Sequence, residues 1–223
     1  MSLLANQSPL KSMSHTIIFR PYQQQANTVT GTHPDPSSIV AWYLNRDPKD
    51  WFRPPAGFDD EIRDRFSNAI TEARNGRLDT WATTPEGSLA LIILLDQFPR
   101  NIYRQRPESY SSDEHALRVA TNAVAREFDT YASRLHQMLF YMPFMHAEDL
   151  LAQVTCRLLL KRLVSECSKD YEHLEFLRMG AGAAESHLAC IQALGRFPKR
   201  NDYLGRYTTD EELQWLHKYP DGF

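Results

Sequence analysis

The chain has 223 residues, 42% of them hydrophobic and 11% aromatic, which supplies enough apolar side chain for a buried core and sets it apart from disordered sequences. A formal net charge of −3 and a pI of about 6.2, with charges of both signs dispersed, exclude the basic footprint of a nucleic-acid-binding protein and a polybasic membrane surface. No run approaches the roughly 18 apolar residues of a membrane span, and the three cysteines, Cys156, Cys167 and Cys190, form neither a zinc spacing nor an even disulfide framework. Buried thiols in a reducing, cytoplasmic compartment are the expectation.

Residues 1–34 contain Lys11 and Arg20 but no acid, and are rich in Ser, Gln and Asn. They read as a flexible tail in which only Thr16 to Phe19 looks able to dock, with mitochondrial import as the alternative and the scarcity of arginine against it. Residues 35–223 read as a single all-helical domain. Asp35-Pro36 caps and opens a short helix up to about Asn45. The loop Arg46 to Gly57 carries Trp51-Phe52 and Pro54-Pro55, which break any helix. Ile62, Phe66, Ala69, Ile70 and Ala73 recur at helical spacing, and Gly76 stands at a left-handed C-terminal cap.

Thr84-Pro85 opens the next helix, on which Leu89, Ile92, Ile93 and Asp96 share one face. A carboxylate aimed at the core needs a cationic or donor partner, or it must hold a proton. Pro99 is expected to stop this helix, followed by Arg100, Asn101, Arg104 and Arg106. Ser111 and Glu114 have the spacing of a capping box for a helix carrying Ala116, Val119, Ala120, Ala123 and Val124. A short helix over Leu135 to Tyr141 is expected to end before Pro143. Pro143 then opens a long one with Leu150, Val154, Leu158 and Val164 on its apolar side, and with His146, Asp149 and Gln153 in one stripe. Tyr171 to Leu194 reads as helical, Gly180 and Gly182 marking a break or a close crossing. His187 lines up there with Ile191 and Leu194. Thr209 and Glu212 form a last capping box. No alternating strand is present, and short connections imply antiparallel helix pairs.

Two stretches share a theme, LALIILLDQFPRNIYR from Leu89 and LGRFPKRNDYLGR from Leu194: each has a Phe-Pro step and then Arg-Asn after an apolar helical run. Together with Trp51-Phe52, Gly76-x-Leu78-x-x-Trp81, FYMPFMHAEDLLAQ, His187 and GRYTTDEE, they resemble the family called domain of unknown function 924, over about Ile39 to Phe223. The resemblance implies an all-α fold of antiparallel helix pairs in a compact, tetratricopeptide-like right-handed superhelix, and it implies no reaction. Where the family pattern usually reads Phe-Pro-His-Arg-Asn, this chain has Lys199, which removes one candidate acid, base or ligand.

The chemistry-bearing residues fall into two groups. His146, Glu148 and Asp149 are the candidate catalytic set, with His146 as acid or base oriented by Asp149. Asp96, Gln97, Arg100, Asn101, His187, Arg196, Arg200 and Asn201 are the candidate binding set, a fork of guanidinium and amide donors suited to a carboxylate or phosphate. The reading is an enzyme for a small anionic molecule, with no metal and no cofactor: His146, Asp149 and His187 could supply metal ligands but lack an H-E-x-x-H spacing, no Gly-rich phosphate loop points to a nucleotide, and the absence of G-x-S-x-G argues against a nucleophilic serine. The other reading is a helical-repeat module for a peptide or protein partner. In it Asp96 pairs with an Arg of the second motif and the polar motifs are structural ion pairs.

Overall fold

The computed structural model describes residues 34–220, so the expectations for residues 1–33, the docking of Thr16 to Phe19 among them, lie outside the described residues. Within these the chain is all-helical, without strands. α1 (Pro36–Leu44) is capped by Asp35, which accepts from Ser38 N at 2.9 Å, and it buries Ile39, Val40, Trp42, Tyr43 and Leu44. Trp51, in the following 3-10 turn, stacks on Tyr43. α2 (Phe58–Arg74) buries the Ile62, Phe66, Ala69, Ile70, Ala73 stripe that its spacing predicts. It ends before Gly76, whose φ of 73° is the left-handed conformation that glycine permits without a Cβ clash.

α3 (Pro85–Ile92) begins at the Thr84 cap and is the central element, with Leu89 to Pro99 buried without interruption. Pro99 does not stop it. The backbone widens into one π turn over Ile93–Gln97, where Phe98 N donates to the carbonyl of Ile93, and continues as α4 (Phe98–Ile102). The physical reason is the missing N–H of Pro99. An added residue in the turn moves the proline ring clear of the preceding carbonyls, and Ser112 Oγ donates to the carbonyl of Leu95 at 2.7 Å, four residues before the proline. That contact also corrects the expected Ser111/Glu114 capping box. The N-cap of α5 (Asp113–Ala125) is Ser112, whose hydroxyl is committed to Leu95, and Ser111 Oγ donates to the carbonyl of Glu108.

α6 (Arg134–His146) runs straight through Pro143, and α7 (Leu150–Ser165) starts afresh behind the Asp149 cap. The expected helix opening at Pro143 is therefore wrong. So is its stripe: His146 is the last residue of one helix and Gln153 lies in the first turn of the next. The apolar face predicted for this segment also points the wrong way, because Leu150 and Leu158 are 50% and 55% exposed, whereas Ala152, Cys156, Leu160 and Leu163 are buried. The register follows α7's own start rather than that of Pro143. α8 (Leu174–Leu194) is continuous through Gly180 and Gly182. Gly180 meets Met138 of α6 so closely that a Cβ would lie 2.9 Å from its sulfur, so the close crossing holds and the break does not. α9 (Asp210–Lys218) has the predicted Thr209–Glu212 capping box.

Residue pairs give the directions. Arg134 at the start of α6 pairs with Glu166 just after α7, and Phe197 N just after α8 donates to Glu148 just before α7, so these three helices run antiparallel in turn. One large apolar cluster spans α1 to α8. Cys190, Ile191 and Phe197 form a smaller one with Leu194 and Trp215. No helix among the described residues is long and apolar enough to cross a membrane.

Candidate functional site

The π turn puts two polar side chains in succession, Asp96 and Gln97, into the core. Asp96 is fully buried and Gln97 nearly so. Asp96 reaches across to the end of α6, where His146 Nδ1 lies 2.7 Å from its Oδ1 and 3.0 Å from its Oδ2. Arg100, one turn along the same helix, places Nη1 3.1 Å from Asp96 Oδ1 and donates to the Asp96 carbonyl. Gln97 Nε2 donates to Asp96 Oδ2, and Gln97 Oε1 accepts from Tyr43 of α1 at 3.1 Å. Burial by itself raises the Asp96 pKa, but Arg100, His146 and Gln97 outweigh it and hold the carboxyl below its usual range, so it is an anion.

A carboxylate only accepts, so His146 donates through Nδ1–H and its lone pair lies on Nε2. Burial, and then the Arg100 cation, lower the His146 pKa against the pull of Asp96, which leaves the ring neutral at neutral pH. Its side chain is 15% exposed, and Nε2 makes no hydrogen bond among the described residues. The arrangement is a carboxylate-oriented imidazole with a free basic nitrogen, which is the geometry of a general base.

Arg200, in the 3-10 turn Pro198–Arg200, lies beside this pair. It is sandwiched between the rings of Tyr110 (4.7 Å) and Phe197 (4.6 Å) and donates to the carbonyl of His146 at 2.8 Å. Arg100 at 2.9 Å and Arg200 at 3.4 Å converge on the same oxygen of Asp113, the first residue of α5. The other Asp113 oxygen is buried without a partner. Burial and the neighbouring Arg100 lower the Arg200 pKa, while Asp113 and Glu148 support its charge. His187 of α8 donates Nδ1–H to the carbonyl of Ala183 at 2.8 Å and packs edge-on against Phe197. Burial pushes its pKa down to about 4, with His146, Arg200 and Arg100 adding to the effect, so it too is neutral.

Of the predicted residues, Asp96, Gln97, Arg100, His146, His187 and Arg200 thus come together. The rest do other work. Asp149 is the cap of α7, accepting from Ala152 N at 2.7 Å, and it does not orient His146; Asp96 does. Glu148 accepts from Arg206 at 2.6 and 3.0 Å and from Phe197 N at 2.7 Å, which ties α7 to the turn after α8. Arg206 and that N–H hold its carboxyl below the usual range against burial. Arg196 pairs with Glu212 of α9, and buried Asn201 bridges Glu212 and Arg206. Asn101 donates to Asp59 on a separate surface cleft of about 390 Å³ lined by Arg63, Arg104 and Arg106. Asp96 does not pair with an Arg of the second motif. The two motifs are joined instead through Asp113 and the His146 carbonyl. Among the described residues, no three His, Cys, Asp or Glu side chains are grouped to hold a metal ion.

Sequence reasoning missed Asp113, Tyr110, Tyr43 and Arg206. Tyr43 carried a signal, since a tyrosine on a buried helix face needs a partner for its hydroxyl. Asp113 carried none, because its spacing shows only a helix start.

The fold and this cluster define an all-helical protein with a core Asp–His pair between two guanidinium-bearing turns. The sequence matches the domain of unknown function 924 family, described as a bacterial protein of unknown function, over residues 39–219, and the chain belongs to that family. It is similar to a solved structure of a protein of unknown function, ATU0120 from Agrobacterium tumefaciens, with 37% identity and a TM-score of 0.73 over 82% of this chain and 97% of that one. No curated protein matches the sequence.

Proposed function

We propose that the chain is an enzyme carrying out acid–base chemistry on a small molecule that bears a carboxylate or phosphate. His146 is the general base and Asp96 sets its tautomer and direction. The observation that carries this reading is the 2.7 Å contact of His146 Nδ1 with a fully buried carboxylate, which leaves Nε2 basic and without a partner among the described residues. Asp113, which bonds Arg100 and Arg200 through one oxygen while the other is buried without a partner, supports a reading in which a ligand anion displaces it. A ligand carboxylate or phosphate takes its place there and uses the paired donors that a single carboxylate oxygen leaves idle. Calorimetric titration with inorganic phosphate and small carboxylates tests the binding half. Binding that weakens at least tenfold in Arg200→Met supports it, and no binding, or binding indifferent to Arg200→Met, sinks it. A turnover screen on mixed anionic metabolites tests the chemical half, and any turnover must vanish in His146→Asn.

A second reading has one observation in its favour. Leu150, Leu151 and Leu158 of α7 are 50%, 74% and 55% exposed and share one face by their spacing, a surface suited to an apolar peptide or protein partner. A complex that survives His146→Asn but not Leu151→Asp favours that reading over the enzyme.

A further inference from the structure

Asp96 is the hub of a buried relay that begins two helices away. Tyr43 of α1, fully buried, donates to Gln97 Oε1 at 3.1 Å, and this fixes which end of the Gln97 amide faces Asp96. Gln97 Nε2 then donates to Asp96 Oδ2, while Oδ1 receives Arg100 and the closer contact of His146 Nδ1. Without the Tyr43 hydroxyl, Gln97 Oε1 loses its donor and the amide is held by Asp96 alone. With it, the carboxylate receives a donor on each oxygen before His146 is counted. We infer that Gln97 and Tyr43 are positioning residues for His146. They fix the Asp96 carboxylate and draw off part of its charge, so that the imidazole is oriented by an anion that does little to favour a second proton on the ring. The inference rests on the reading of His146 as the base, but its physical content can be measured without any substrate.

The groups facing His146 are Asp96 and Arg100 from the central helix and Asp113 from α5; Arg200 from the turn after α8 bonds its carbonyl, and His187 of α8 lies among the same charges. Only Asp96 touches Gln97 among these, so a change at Gln97 or Tyr43 reaches the imidazole through the carboxylate. Burial and Arg100 keep the His146 titration low in the intact protein, which gives room for it to rise.

The experiment is a proton NMR titration of the full chain, with the His146 signal assigned by its loss in His146→Asn. In Gln97→Leu the His146 midpoint rises by roughly 0.5–1 pH unit, the equivalent of one buried hydrogen bond withdrawn from the carboxylate. In Tyr43→Phe, which removes one oxygen and keeps the ring in its stack, it rises in the same direction by less. Tyr141→Phe breaks a comparable buried bond to Asp129, which has no contact with the cluster, and leaves the midpoint where it was. An unchanged or lower midpoint in Tyr43→Phe overturns the inference, as does a rise that Tyr141→Phe reproduces. Should Gln97→Leu fail to fold, Tyr43→Phe decides alone. If His146 proves not to be a base, turnover is indifferent to His146→Asn while these midpoint shifts remain, so the two failures are separable.

Discussion

Replacing Asp96 by asparagine keeps the shape of the side chain and removes its charge, which makes it the sharpest probe of the cluster. At the 3.1 Å separation from Arg100, the Coulomb attraction is about 5 kcal/mol at an effective dielectric constant near 20, and the desolvation of a fully buried carboxylate opposes it by several kcal/mol. What the substitution exposes is the partner left behind: breaking a buried pair typically costs about 3–5 kcal/mol. Arg100 keeps Asp113 at 2.9 Å, and His146 can still donate to an amide oxygen, so the expected loss is at the lower end, about 3 kcal/mol. Urea denaturation of both proteins at pH 7 measures it. The pH dependence adds a signature. The Asp96 pKa is lowered in the fold, so its stabilisation is fully present above the unfolded value near 3.9 and is lost as pH falls through the folded one. The advantage of the native protein over Asp96→Asn therefore persists from pH 7 to about pH 4 and fades below. A difference under about 0.5 kcal/mol at pH 7 would refute the reasoning, because a carboxyl that holds a proton is replaced by an amide at almost no cost.

His187 gives a linkage prediction with the same sign. Its folded pKa of about 4 lies below the unfolded value, so the unfolded chain binds the extra proton between roughly pH 6.5 and 4, and stability falls on acidification by about 2–3 kcal/mol at pH 4.5. His187→Gln removes that loss, so denaturation curves at pH 7 and pH 4.5 should draw together in the variant. Gln153, fully buried, gives its amide to the carbonyls of Phe144, Met145 and Ala147, and Gln153→Leu should cost about 1–3 kcal/mol and increase hydrogen exchange at the end of α6. Glu148→Gln, read by the same denaturation assay, should cost about 2–4 kcal/mol through the uncompensated Arg206, and binding of phosphate should persist in the folded variant.

The helical class and most helix starts are legible in the sequence because they rest on local chemistry. Asp35, Thr84 and Thr209 cap the helices their spacing announces, and the stripe from Ile62 to Ala73 is buried as its period requires. The failures share a cause. Pro99 and Pro143 look like breakers, yet both lie inside helical runs, because burial on every side rewards continuing the helix and neighbouring groups such as Ser112 Oγ satisfy a carbonyl near the proline. Misplacing the start at Pro143 then turned the face of α7 around. The site divides in the same way. That Asp96 faces the core follows from its spacing, and its need for a partner follows from burial. Which partner it finds does not, because His146 is 50 residues away and its apparent companion, Asp149, is drawn off by the N–H of Ala152.

The two Phe-Pro turns followed by Arg-Asn that look alike in sequence are therefore not equivalent. In the first, Phe98 and Pro99 continue a helix whose preceding turn delivers a carboxylate to the core. In the second, Phe197 and Arg200 wrap the outside of that carboxylate's partner: Arg200 binds the His146 carbonyl, Phe197 flanks both Arg200 and His187, and Phe197 N is held by Glu148. A purely structural lock would be complete with Glu148–Arg206 and Arg196–Glu212, which satisfy both oxygens of each carboxylate. The Asp96–His146–Arg100–Asp113–Arg200 group goes beyond that need. It leaves an imidazole nitrogen without a partner among the described residues and a buried carboxylate oxygen unpaired, two unmet valences beside two cations. Buried polar atoms without a partner also occur at Arg74, Gln153 and Arg157, so it is their coincidence here with two guanidinium groups and a carboxylate-oriented imidazole that favours the proposed ligand reading.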